Sequence, residues 1–175
     1  MSSYNRSLYL RYADALRHPG HFSTAISEFF AKDANINVVH PFNEIQSADA
    51  FFLKFMAPLQ QAFEGLYRRD YIFMTGQFEG KDWISSTGYY VGRFAKDWIG
   101  IKATDTLCYL RYGEFHQVKN GKVVESYIYL DIPELMIACN EWPLKMGPGL
   151  SRGYTGLIQG PASCDGVIAK ASDPN

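Results

Sequence analysis

The residues best suited to chemistry lie in one stretch, Lys122 to Cys139 (KVVESYIYLDIPELMIAC), which reads as a strand ending in an acid and turning at once into an apolar helix. Alternate strand residues point to opposite faces. Val123, Glu125, Tyr127, Tyr129 and Asp131 are therefore expected on one face, and Val124, Ser126, Ile128, Leu130 and Ile132 on the other. The first face sets a carboxylate beyond two phenols. Burial raises the pKa of such an acid and phenols donate hydrogen bonds, a combination that suits proton transfer in a small pocket. The same residues carry a structural reading. Asp131-Ile132-Pro133-Glu134 spells D-x-x-E, in which Asp131 is the N-cap, Pro133 sits in the first turn and Glu134 reaches back in a capping box. Spacing leaves both roles open.

Several elements must position this stretch. Tyr4 to Arg17 repeats apolar residues at helical spacing (Leu8, Tyr12, Ala15, Leu16) and stops before Pro19-Gly20. A second helix is expected from Ser23 or Thr24 to Phe30, ending near Asp33, followed by a strand over Ala34 to Val39. His40 then precedes Pro41 and is biased toward an extended conformation, where it faces a pocket or plays a structural part. Ser47 begins a helix through Phe51, Phe55, Leu59 and Phe63, with a kink or early end expected at Pro58. Long strands follow: Leu66 to Phe78, Trp83 to Phe94, Thr106 to Val118 and Lys122 to Asp131, parted by turn signals at Glu79-Gly80-Lys81-Asp82 and Asn120-Gly121. Helices first and consecutive strands afterwards predict an α+β cone, a curved, mostly antiparallel sheet with the helices on its concave side. The loop Ala95 to Asp105, with Trp98 and Ile99, is too apolar for open solvent and is expected to cover the mouth of the cone or meet a second subunit. Residues 1 to 145 form this domain, and 146 to 175 read as an irregular tail rich in glycine and proline.

Composition narrows the function. A formal net charge of -1, with no block of lysine and arginine, argues against binding to nucleic acid or a membrane surface. No segment has the apolar length of a membrane span, and the N-terminus lacks a signal-peptide core. Three widely spaced cysteines, Cys108, Cys139 and Cys164, suggest neither a disulfide framework nor a metal motif, so a reducing, cytoplasmic setting is expected. Aromatic residues make up 15% of the chain, enough to line a pocket for a small hydrophobic molecule as well as to fill a core. Nucleotide loops, zinc-binding H-E-x-x-H and G-x-S-x-G are all missing, so the expected chemistry needs no cofactor. The polar candidates are Asp131, Tyr127, Tyr129, Tyr90, His40, Arg111, Glu114 and His116, with Trp83 and Trp98 as aromatic lining. Arg111 and Glu114 fall on opposite strand faces, and the Glu114-His116 pair is expected at the surface.

The order of elements and a series of short strings resemble the SnoaL-like polyketide cyclase family, within the nuclear-transport-factor-2-like (NTF2-like) superfold. The strings are His40-Pro41-Phe42, Pro58-Leu59 to Phe63, Arg69-Asp70, Asp82-Trp83-Ile84, Gly88-x-x-x-Gly92-x-Phe94, Trp98 to Ile101 with Thr104, Arg111-x-Gly-Glu-Phe115, Asn120-Gly-Lys122 with Glu125, and Asp131-x-x-x-Leu135. The resemblance implies that Asp131 is the general acid/base of an intramolecular aldol ring closure on a carbonyl compound, with Tyr127 and Tyr129 as donors to test first. Tyr90 stands where studied cyclases commonly carry histidine, and Ile137 to Asn140 replaces their usual Gln-Leu-Gly. The same acid also suits dehydration or double-bond isomerisation, and the same cavity suits a binding or assembly module without catalysis. Because both faces of the last strand are apolar, the face away from the pocket is expected to bury against a second copy in a homodimer.

Overall fold

The computed structural model describes residues 2–144, so the expected tail lies outside the described residues. Four α-helical segments precede the long strands among the described residues. They are α1 (Ser2–Ala15), α2 (Phe22–Phe29), α3 (Ala48–Phe51) and α4 (Ala57–Ala62), with β1 (Phe30–Val38) and β2 (Asn43–Gln46) between α2 and α3. Then come β3 (Phe63–Phe78), β4 (Lys81–Phe94), β5 (Leu107–Lys119), β6 (Lys122–Leu130) and a closing helix α5 (Ile132–Ala138). The strands form one open, curved sheet in the order β2-β1-β6-β5-β4-β3. All neighbours are antiparallel except β1 and β6. The α+β cone is thus observed.

Each helix buries one stripe. Leu8, Tyr9, Tyr12, Ala13 and Leu16 on and just past α1, and Phe22, Ala25, Ile26 and Phe29 on α2, recur at the spacing of one helical face and are all buried. The second helix is shorter than the sequence suggests, because Phe30 already has an extended backbone and opens β1. Ser47 caps α3 by accepting from the Ala50 amide at 3.1 Å. Between α3 and α4 the helix widens to a π-helical segment, Phe52–Met56, in which the Ala57 amide bonds to the Phe52 carbonyl. Pro58, just beyond, has no amide to offer, and the widened turn is how the chain carries a proline through without breaking.

Two tight turns join the long strands. Glu79 and Gly80 (φ 51° and 70°), and Asn120 and Gly121 (φ 51° and 76°), adopt the left-handed pairs that match hairpin twist. Within β6 the alternation expected from sequence slips once. Gln117 pairs with Glu125 but Val118 pairs with Val123, so Val124 is an extra residue in a bulge. Val123 therefore turns inward and is fully buried, leaving Glu125, Tyr127 and Tyr129 on the outer face. The face expected to meet a second subunit, Ser126, Ile128 and Leu130, is buried under the chain's own helices instead. The Trp98 loop likewise folds onto its own core: Trp98 and Ile101 bond to each other through the backbone and are buried, with Trp98 beside Phe42 and Phe63.

Candidate functional site

The sheet carries polar clusters on both faces, and they differ in kind. Inside the cone, Leu66, Arg68 and Asp70 of β3 point the same way by strand alternation, and Arg68 becomes the centre of a sealed network. Its Nε donates to Asp70 Oδ1 at 3.1 Å and to the Tyr112 hydroxyl at 3.0 Å, and its two terminal nitrogens grip the Glu114 carboxylate. Tyr9 and Tyr112 donate to the same Asp70 oxygen at 2.5 and 2.7 Å, while Asp70 Oδ2 is buried with no partner. Ser86 donates to Glu114 at 2.8 Å. His116 Nδ1 meets the Ser126 hydroxyl at 2.6 Å, and its Nε2 stands 3.1 Å from Glu114, near enough to pair by charge but off the direction of a hydrogen bond. The network needs Gly88. A Cβ there would fall 2.1 Å from the Arg69 carbonyl and 2.6 Å from the Tyr112 hydroxyl, so any side chain would expel Tyr112.

Burial alone would raise the Glu114 carboxyl, but Arg68 and His116 outweigh it and hold the group well below the usual carboxylate range. Burial likewise pushes up the phenols of Tyr9, Tyr12, Tyr90 and Tyr112. Glu114 and His116, expected at the surface, are therefore core residues: the Arg68 guanidinium, reaching across from β3, supplies the charge that lets them be buried. Tyr90 belongs to this interior, its ring 5.2 Å from that of Tyr112.

The outer face follows from the register. Tyr89, Arg111 and Asp131 form one row, Thr87, Gly113 and Tyr129 the next, and Ser85, Phe115 and Tyr127 the third. In the first row Arg111 donates to the Tyr89 hydroxyl at 2.7 Å and lies over its ring. Asp131 caps α5, its Oδ1 accepting from the Glu134 amide at 3.0 Å, as the D-x-x-E pattern requires. Glu134, however, does not reach back. Its Oε2 is buried without a hydrogen bond, 3.6 Å from Arg111 Nε, and burial raises its carboxyl against the opposing pull of Arg111. The lower rows open into a groove of about 680 Å³ with Met74, Phe78, Trp83, Ser85, Phe115, Tyr127 and Tyr129 among its walls. Trp83 stacks toward Tyr127 at 6.5 Å, and Tyr127 donates to Glu125 at 2.7 Å.

Five of the residues singled out from sequence thus share the outer face: Asp131 and Arg111 in the charged row, and Tyr127, Tyr129 and Trp83 along the groove. They lie outside the cone rather than in its interior. Tyr90 and Trp98 are in the core, and His40 sits in the exposed turn after β1, joined to Pro41 by a cis peptide bond. Sequence reasoning missed Arg68, Asp70, Tyr9 and Tyr112, and gave Glu134 only a capping part. The available signal was the alternation Leu66-Arg68-Asp70, which places two charges on an apolar residue's face. Among the described residues, no group of three or more histidine, cysteine, aspartate or glutamate side chains is arranged to hold a metal ion, and no helix is long and apolar enough to cross a membrane.

No family model matches the sequence, and no curated protein does. Solved structures do match in fold. AclR of Streptomyces galilaeus is 20% identical with a TM-score of 0.68, over 82% of this chain and 100% of its own. A SnoaL-like protein of the polyketide cyclase kind from Jannaschia sp. CCS1 is 16% identical with a TM-score of 0.63, over 82% and 95%. An NTF2-like protein of Burkholderia thailandensis is 18% identical with a TM-score of 0.57, over 79% and 95%. The chain therefore has the fold shared by SnoaL-like polyketide cyclases and NTF2-like proteins.

Proposed function

We propose that this chain is a cofactor-free acid/base enzyme of the cyclase or isomerase kind, acting on a small, flat, apolar carbonyl compound held against the outer face of the sheet. The observation that carries the reading is the meeting of one cation and two carboxyls, Arg111, Asp131 and Glu134, on the same sheet face as an aromatic groove and one outward-facing row beyond its wall residue Tyr129. The names of the cyclase-like structures that share the fold agree with this class of chemistry. Asp131 takes the proton α to the carbonyl, and the Arg111 guanidinium faces the enolate oxygen that forms. The enolate carbon then attacks a second carbonyl of the same molecule. One carbon–carbon bond forms, and Glu134, kept protonated more readily by burial, gives its proton to the new alkoxide. Transfer of the proton from Asp131 to Glu134 through water restores both groups. Proton removal by the same aspartate also serves dehydration or a double-bond shift.

Asp131→Asn tests this cleanly, since asparagine caps a helix as well as aspartate does. The probe is 5-nitrobenzisoxazole, a flat bicycle that opens when a base removes its ring proton. The chain should accelerate the opening, and Asp131→Asn should lose about a hundredfold or more of that rate while keeping its melting temperature. Equal rates in the two proteins overturn the assignment.

A second reading has its own observation. Phe78, Tyr129 and Phe115 are 65%, 55% and 49% exposed on one face of the sheet, around one groove, the kind of contiguous apolar patch that marks an interaction surface. On this reading the face pairs with a second copy, making the homodimer expected from sequence but on the opposite side of β6. Light scattering decides it: a dimer that Tyr129→Asp converts to a monomer assigns the face to assembly.

A further inference from the structure

We infer that the cleft between α1, α2 and the β5–β6 hairpin is a binding site for a free α-amino acid with an apolar side chain. The cleft shares no residue with the outer groove, so the inference does not rest on the acid/base reading. It begins with one face of α1. Tyr4, Leu8, Arg11 and Tyr12 follow at the i, i+4, i+7, i+8 spacing of a helical stripe, and Arg11 puts a cation where such a stripe is ordinarily apolar. Ala25, Glu28 and Phe29 of α2 line the same cleft, whose volume is about 250 Å³. Drug-sized ligands occupy about 300–1,000 Å³, so the occupant is a smaller molecule.

The floor of the cleft is apolar. Leu8, Tyr12, Ala25 and Phe29 are all buried, and the rings of Tyr12 and Phe29 stack at 4.0 Å. Ala25 is the smallest of the four buried residues of α2 and leaves the space open. The rim is charged, and one of its charges is already engaged. Lys122 donates to the Ser27 carbonyl at 3.2 Å and to the Glu28 carbonyl, closing the end of α2. Beside it, a Cβ on Gly121 would fall 2.7 Å from the Tyr4 hydroxyl, so the glycine lets that ring stand at the side of the cleft. Arg11 and Glu28, both exposed, are the charges that remain. Among the described residues, neither the Arg11 guanidinium nor the Glu28 carboxylate makes a hydrogen bond or ion pair, with the other or with any third group. Opposite charges that line one cleft unpaired fit a ligand bearing both charges in reverse. A carboxylate takes the guanidinium fork and an ammonium takes the glutamate. A free amino acid carries the two on one carbon and has a side chain left for the floor.

Calorimetric titration of the full chain with L-phenylalanine and L-leucine tests the inference. Each should saturate one site per chain. Affinity for phenylalanine should fall about tenfold or more when its amine is acetylated, when its carboxyl is amidated, or when glycine replaces it. Arg11→Gln and Glu28→Gln alter exposed side chains and should keep the melting temperature within about 3 °C. Each should weaken L-phenylalanine about tenfold and erase one preference only: Arg11→Gln the preference over the amide, Glu28→Gln the preference over the acetylated compound. No binding of either amino acid up to about 10 mM overturns the inference. So does equal affinity for free and acetylated phenylalanine, or for phenylalanine and glycine, or survival of both preferences in both variants. Should a variant lose stability, the analogue series on the unaltered chain decides alone.

Discussion

Arginine, carboxylate and tyrosine meet twice in this molecule, on the two faces of one sheet, to opposite effect. Inside, Arg68 is completely enclosed and its donors are taken up by Asp70, Glu114, Tyr112, Tyr9 and Ser86. Outside, Arg111 is about a third exposed, rests on Tyr89 and stands 3.6 Å from a carboxyl that it does not hydrogen-bond. The inner cluster leaves Asp70 Oδ2 and His116 Nε2 without a hydrogen bond but is sealed from solvent, so it can only hold. The outer cluster has bonding capacity left beside an accessible guanidinium, so it can bind. Residue type therefore says little about role until it is known whether the unused donors and acceptors can be reached.

The largest effect should come from breaking the inner cluster. Arg68→Met leaves buried carboxylates without their cation and should cost about 3–5 kcal/mol in urea unfolding. The outer counterpart, Arg111→Met, should cost about 0–1 kcal/mol. Similar losses in the two variants would erase the distinction. Acid sharpens it. The Glu114 carboxyl is depressed in the folded protein, so the unfolded chain binds its proton at higher pH. Its contribution is complete above the ordinary glutamate value of about 4.3 and is lost as pH falls below that toward the folded value. Urea midpoints measured from pH 7 downward should drop more steeply in the unaltered chain than in Glu114→Gln. Next in size, Asp131→Ala should cost about 1 kcal/mol through the lost cap, whereas Asp131→Asn should cost almost nothing. Smallest of all, Tyr129→Ser should change stability by no more than about 0.5 kcal/mol, since the ring is exposed. Its effect belongs to the binding of a flat aromatic probe such as 2-naphthol or to self-association, and no change in either would leave the outer face without a role.

Much of the frame was legible because the signals are local. Asn120-Gly121 fixes its hairpin through backbone preferences that need no tertiary contact, and the D-x-x-E of Asp131 to Glu134 fixes a helix start. Glu114 and His116 were misread for the converse reason. Their burial depends on Arg68, 46 and 48 positions earlier, as the numbering shows, and a charged residue reads as exposed until its partner is known. The site was legible as a set of residues but not as a side of the sheet. Strict alternation from Val123 predicted which side chains travel together through Tyr127, Tyr129 and Asp131, and the bulge at Val124 removed Val123 from that set. Nothing within β6 states which face the helices will cover.

The bulge at Val124 also sets how the gene for this chain can change. A strand normally tolerates neither gain nor loss of one residue, because every side chain beyond the change swaps faces. Here the chain before Val124 and the chain after it are already out of phase, so the strand contains a place where the loss of one residue can be absorbed. Deleting Val124 should restore a continuous ladder and keep Tyr127, Tyr129 and Asp131 facing outward, at the expense of the fit of Val123 and the hairpin before it. Deleting Ile128, four residues on, should turn the tyrosines toward the core. Of two single-codon deletions in the same strand, the first should be the one that lineages carrying this fold can survive.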